Sequence, residues 1–221
     1  MKEKRESYTE LLRRSAREHS SIVCLGLDPK PEVYPFEELE PSERLLKVFE
    51  TILDRMISRG VYPAAVKPNI GYYHRLDAPF EDDFSGSRAL ARLIKSVRGA
   101  LPGVPVILDA KRGDIATSSA NYAAEAFEGW RADAVTIAPY MGHDSISPFT
   151  SWCEEGRGVY ILNRTSNPGG ADVQNLPVAA GAGKGEAGPD AGGAAGAGAG
   201  AGAGSQEVVP LYMKIAEMIA E

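Results

Sequence analysis

The sequence predicts an α/β fold of parallel strands and crossover helices, with about five βα units recognisable and an arrangement of (β/α)-barrel type. Three observations carry this. Short apolar runs alternate along the chain with longer stretches of helical periodicity, the pattern of parallel strands joined by right-handed crossovers. Two of the runs, "GVPVIL" and "ADAVTIAP", lack polar alternation, as strands covered on both faces do. Finally, Asp28, Lys67, Asp109 with Lys111, Pro139 and Arg164 stand at the C-terminal ends of five different runs. A site at that end fits both a barrel and an open doubly wound sheet, and convergence from five strands suits a barrel mouth better.

The chain opens on "MKEKRESYTELLRRSAREH", where Leu11, Leu12 and Ala16 alternate with charges. This is an amphipathic helix and lacks the apolar middle of a signal peptide. Strands are expected over 20–28, 62–68, 103–111, 132–139 and 158–164, and helices over 41–60, 86–100, 115–130 and 143–155. The barrel units thus fill residues 1–178. From Ala179 to Gly204, 22 of 26 residues are Gly or Ala, which leaves almost no side chain to bury and a high entropic cost of ordering, so this stretch is expected to be a linker or insertion. Residues 205–221 carry Val209, Tyr212, Met213, Ala216 and Ile219 as one apolar stripe, the mark of a C-terminal helix.

Composition narrows the function. With 43% hydrophobic and 24% charged residues, 221 positions suffice for a large buried core. A net charge of -6 offers no broad basic face for a phosphate backbone, so no nucleic-acid partner is expected. No stretch reads as a membrane span, and the protein is expected in the cytoplasm. His19, His74 and His143 form no metal-ligand spacing with one another, and neither do Cys24 and Cys153. Cys24, in "SIVCLGL", reads as a small buried apolar residue.

The chemistry concentrates in "LDAKRGDIATS", residues 108–118. Residues two apart on a strand share a face, so Asp109, Lys111 and Ile107 point one way while Val106, Leu108 and Ala110 point the other. Lys111 is expected to lie between Asp109 and Asp114, held protonated and ready to donate a proton or stabilise a carbanion. As a purely structural ion pair, the arrangement would add little net stability. Lys67, ending "AAVK", brings a second cation to the rim. "RTSNPGG" (164–170) adds hydroxyls, an amide and a tight turn.

These residues resemble the orotidine 5'-phosphate decarboxylase family, in particular its bacterial branch with a "TSNP" loop. Asp109, Lys111, Asp114 and Ile115 match the signature Asp-x-Lys-x-x-Asp-Ile-x-x-Thr, and its threonine is assigned to Thr117; Lys67 in "AAVKPN" matches the separate upstream lysine, and Asp28 in "CLGLDP" the ribose-binding aspartate. "APYMG" (138–142) and "RTSNPGGADVQ" (164–174) are similar to the segments of the fourth and fifth strands, and "VPLYMKIAEMIAE" to the helix after the fifth. The resemblance implies a (β/α)8 TIM barrel acting as a homodimer with shared active sites, Asp114 and Thr117 reaching into the neighbour's. It implies a lyase of pyrimidine biosynthesis that converts orotidine 5'-monophosphate to UMP with no metal and no cofactor. Lys67, Asp109, Lys111 and Asp114 are then the catalytic group, while Asp28, Thr117, Pro139, Thr165 and Ser166 bind substrate, Ser166 reading the pyrimidine edge.

The family's later loops carry a "GAT"-type strand, a "PGxGAQGG"-type phosphate loop and an arginine clamp, none of which occurs in these 221 residues. The chain is therefore expected to be a truncated or interrupted member. Two alternatives stand beside the decarboxylase: a metal-dependent sugar-phosphate decarboxylase or hexulose-phosphate synthase of the wider Asp-x-Lys-x-x-Asp superfamily, and a non-catalytic half-barrel.

Overall fold

The computed structural model describes residues 6–180 and 207–220, and the chain divides into two units, Met1–Leu162 and Asn163–Glu221. The first unit runs α1 (Tyr8–Glu18), β1 (Cys24–Gly26), α2 (Pro41–Ser58), β2 (Ala65–Lys67), α3 (Ile70–His74), α4 (Ser85–Ala100), β3 (Ile107–Arg112), α5 (Ala116–Ala124), β4 (Ala134–Ile137), α6 (His143–Thr150) and β5 (Gly158–Ile161). All five expected strands are present, each shorter than its apolar run. The short α3, between β2 and α4, has no counterpart in the sequence reading.

Strand pairing decides between the two candidate architectures. β1 and β2 pair in parallel, β3, β4 and β5 pair in parallel, and parallel bridges at Val66–Val106 and Asn69–Asp109 join the two groups. The order β1-β2-β3-β4-β5 follows the chain without the reversal that a doubly wound sheet requires. The first unit is five consecutive strands of a TIM-type barrel.

Pleating sorts the side chains of these strands. Val66, Leu108 and Val135 lie on the outward face and are fully buried. Ala65, Ile107 and Ala134 lie on the inward face, at the starts of their strands, where α1 covers them with Tyr8 and Leu12. A capping box begins α1, with Ser7 and Glu10 each satisfying the other's backbone N–H. Ser15 then ties the helix down by donating to the Ala64 carbonyl at 2.8 Å. Gly158 at the start of β5 lies so close to the Tyr8 ring that a Cβ there would overlap it. The Tyr8 and Tyr160 hydroxyls meet at 2.8 Å.

The same end is stitched by Asp133. Its Oδ2 accepts from the Val106 N–H at 2.9 Å and from Arg98 at 3.2 Å, and Arg157 approaches its Oδ1 at 3.7 Å. One buried carboxylate thus links α4 to the strand starts. On the outer layer, α2 presents Leu45, Leu46, Phe49 and Leu53, and α4 presents Leu90, Leu93, Ile94 and Val97, all buried. Spacings of three and four put each set on one helix face, and burial of each leucine contributes about 2 kcal/mol.

The second unit holds a 3₁₀ turn (Pro168–Gly170), α7 (Ala171–Gln174), β6 (Pro177–Ala179), β7 (Val208–Pro210) and α8 (Leu211–Ala220). β6 and β7 pair antiparallel, Val178 opposite Val209. The helix expected over 205–221 begins only at Leu211, because the two valines favour extended backbone and Pro210 fits the residue ahead of a first turn. The Gly/Ala linker expected over 179–204 lies, beyond Ala180, outside the described residues.

Candidate active site

At the C-terminal ends of the strands the inward face changes from apolar to charged. β2 ends in Lys67, β3 carries Asp109 and Lys111, and β4 carries Thr136. Lys67 Nζ donates to Asp109 Oδ2 at 2.6 Å, and Lys111 Nζ donates to Asp109 Oδ1 at 2.6 Å. Thr136 Oγ1 donates to that same Oδ1 at 2.8 Å. The carboxylate is the buried centre at 5% exposure, with the Lys67 and Lys111 side chains at 31% and 48%.

This corrects one expectation. The sequence suggested a lysine between two carboxylates; within this chain a carboxylate lies between two lysines. Asp114 comes two residues after β3 ends, so the strand's pleat no longer aims it inward. Its Oδ1 accepts from the Ile115 N–H at 2.8 Å and its carbonyl accepts from Ser119 Oγ at 2.6 Å, which ties it into its own loop.

Electrostatics follow the geometry. Burial acts to raise the Asp109 pKa, but the hydrogen bonds from Lys111, Lys67 and Thr136 outweigh it and hold the carboxyl below its ordinary 3.8. Burial likewise acts to lower Lys67, but the bond to Asp109 and the charges of Asp109 and Asp28 prevail, raising it above 10.5. Both shifts favour the ion pair.

The backbone beneath is irregular. Leu108 pairs with Val135 but the next partners are Arg112 and Ile137, so four residues on β3 span two on β4. Within this bulge Lys111 takes φ of 47°, the left-handed region that a non-glycine residue rarely occupies. The Ala110 and Lys111 N–H groups, displaced from the ladder, both donate to Thr136 Oγ1 at 3.0 Å.

The remaining expected residues are placed as follows. Asp28, exposed after β1, accepts from the Asn69 N–H at 3.0 Å, which fixes the turn that follows Lys67. Thr117 is exposed in the first turn of α5; the family signature sets its threonine three residues after the isoleucine, a position held by Ser118, one beyond Thr117. Pro139 is buried after β4, its carbonyl accepting from the Gly142 N–H at 3.0 Å. Thr165 and Ser166 belong to the second unit. There Gln174 holds the loop, its Oε1 accepting from the Thr165 N–H at 3.0 Å and from Arg164 at 3.0 Å, and its Nε2 donating to Thr165 Oγ1 at 2.8 Å. Gly170 sits against these same groups, where a Cβ would lie 2.8 Å from Thr165 Oγ1. Ser166 is exposed.

A cavity of about 300 Å³ opens on the inward face, lined by Cys24, Lys67, Ile107, Thr136 and Tyr160 among others. Cys24 is therefore exposed and not the buried residue expected, because it points to the cavity side of the edge strand β1. Partial burial raises its thiol pKa despite the Lys67 charge. A larger cavity of about 590 Å³, between the first turns of α2 and α4, contains none of the expected site residues. No group of three or more His, Cys, Asp or Glu suited to a metal ion occurs among the described residues. No described helix is long and apolar enough to cross a membrane.

Sequence reasoning missed Thr136 and Asn69. For Thr136 a signal existed: it is the one polar residue inside "AVTI", two residues from Ala134 and so on the inward face.

Comparison with known proteins points to one family. The model of the orotidine 5'-phosphate decarboxylase / HUMPS family matches residues 21–209. The orotidine 5'-phosphate decarboxylase of Cupriavidus metallidurans is 43% identical over 172 residues, 78% of this chain and 58% of the relative. Among solved structures, Leishmania donovani OMP decarboxylase superposes with a TM-score of 0.67 at 30% identity, over 96% of this chain and 64% of that one. Leishmania donovani UMP synthase gives 0.63 at 34% identity, over 78% and 33%. The chain thus spans little more than half the length of the curated relatives it matches.

Proposed function

The chain belongs to the orotidine 5'-phosphate decarboxylase / HUMPS family, and from that premise we propose that its site removes CO2 from C6 of orotidine 5'-monophosphate to give UMP, a step of pyrimidine biosynthesis. What supports this reading is the Lys67–Asp109–Lys111 group, two ammoniums fixed on one buried carboxylate toward the C-terminal ends of β2 and β3. In the reaction the C6–carboxylate bond breaks, its electron pair stays on C6, and CO2 leaves. Lys111, half-exposed, stabilises the developing negative charge and delivers its proton to C6, then regains one from solvent. Asp109 holds Lys111 in place and faces the leaving carboxylate. Lys67 and Asp28 hold ribose hydroxyls, and Pro139, Thr165 and Ser166 line the nucleotide, Ser166 on the pyrimidine edge.

Asp114 completes a second copy's site in a cytoplasmic homodimer; in its own chain its carboxylate accepts from the Ile115 N–H. No metal or cofactor takes part.

The test is spectrophotometric. Orotidine 5'-monophosphate absorbance should fall on adding the protein with EDTA present, and Lys111→Ala should lower the rate by about a hundred- to ten-thousandfold, the usual contribution of a single proton-transfer group. Turnover that survives Lys111→Ala would remove the lysine from its role, and turnover lost to EDTA would favour a metal-dependent relative.

A further inference from the structure

We infer that Thr136 is the positioning residue of the site: its single hydroxyl shapes the β3 bulge and at the same time aims the Asp109 carboxylate. A hydroxyl offers one proton and two lone pairs, and Thr136 uses all three, donating to Asp109 Oδ1 at 2.8 Å and accepting from the Ala110 and Lys111 N–H groups at 3.0 Å each. Those two N–H groups sit where the β3–β4 ladder lapses between Leu108 and Arg112. The threonine side chain thus replaces a missing strand carbonyl and sustains the left-handed Lys111 backbone, a conformation that persists only where its surroundings enforce it.

The second half of the device acts on charge. Asp109 Oδ1 is shared by Lys111 Nζ and Thr136 Oγ1, while Oδ2 is left to Lys67. Because both backbone N–H groups occupy the lone pairs of the threonine oxygen, its proton is directed at the carboxylate. One residue therefore fixes where Lys111 starts and what its ammonium binds. The groups facing Asp109 are Lys111 on β3, Lys67 on β2 with Asp28 and Cys24 near it, and Thr136 on β4; Tyr160 on β5 lines the same cavity.

The catalytic part of this inference rests on the decarboxylase reading, whereas the positioning part does not, and the experiment separates them. The Asp109 carboxyl is titrated by carbon-13 NMR in the full chain, in Thr136→Val, which keeps the shape and deletes the hydroxyl, and in Thr136→Ser, which restores it. Thr136→Val should move the Asp109 titration upward and Thr136→Ser should return it. In parallel, kcat for orotidine 5'-monophosphate should fall roughly ten- to a hundredfold in Thr136→Val, the loss of one hydrogen bond to a charged group, with KM little changed and most of kcat recovered in Thr136→Ser. An Asp109 titration unmoved in Thr136→Val overturns the inference whatever the turnover. A moved titration in a protein whose wild type never turns over orotidine 5'-monophosphate upholds the positioning and rejects the decarboxylase reading. Hydrogen exchange on the unaltered protein gives an independent answer even where Thr136→Val does not fold: the Ala110 and Lys111 amides should be protected, and fast exchange of both overturns the inference.

Discussion

Asp109 decides how the site responds to pH, because it is the one anion between two ammoniums. Its pKa is depressed, so the stability it contributes is present above its ordinary 3.8 and is lost as pH falls through the folded value. Lys67 is raised, so its contribution is complete below 10.5 and is lost as pH rises through the folded value. The ion pair therefore supports the fold between about pH 4 and pH 10. Replacing Asp109 by Asn should destabilise the chain at pH 7 by about 1–3 kcal/mol, less than a fully buried pair because both lysines reach solvent. Urea titrations at pH 7 and pH 3 would check this, the gap between wild type and Asp109→Asn closing at the lower pH. At this scale the sequence was informative: strand periodicity alone set Asp109 and Lys111 on one face. It could not tell which carboxylate Lys111 binds, because that depends on where β3 stops and the loop begins. Thr136 was legible only as a lone polar residue in an apolar strand, since its partners lie on a different element.

Among the elements, α1 and β5 are matched in shape at one point. Tyr8 lies against Gly158, so Gly158→Ala should drive a methyl into the ring and cost about 1–3 kcal/mol, the usual penalty of overpacking. Thermal melts of Gly158→Ala, and of Gly158→Ala with Tyr8→Leu, would check it; the smaller side chain at residue 8 should restore much of the loss. The long helices α2 and α4 were readable because their apolar residues repeat at three and four, and the five strands because each is an apolar run with a polar end. α3 was not, since Ile70–His74 is a single turn set by Asn69, whose side chain accepts from the Gly71 N–H at 3.1 Å. The β6–β7 pairing escaped too, because its partners are some thirty residues apart in sequence with the Gly/Ala stretch between them, and local pattern carries no record of such a pairing.

For the whole molecule, strand order was the decisive observation. Composition and periodicity left a barrel and a doubly wound sheet both standing, and only the unreversed order of five strands separates them. The phosphate loop and arginine clamp that the family resemblance implies have no counterpart in these 221 residues. Isothermal titration should therefore find that this chain binds orotidine 5'-monophosphate at least about a hundredfold more weakly than the full-length Cupriavidus relative, two lost charge-assisted hydrogen bonds sufficing for that factor. It should also discriminate poorly between the nucleotide and orotidine. Equal affinity for the nucleotide in both proteins would mean that other groups hold the phosphate. The Asp133 clamp gives the fold a further property. It gathers Arg98, Arg157 and the Val106 amide at the strand starts, three residues along β4 from Thr136, a separation of roughly 10 Å. At that spacing the two ends of the barrel are energetically near-independent, so the loops around Lys111 are free to diverge toward new substrates while the Asp133 end keeps the scaffold standing.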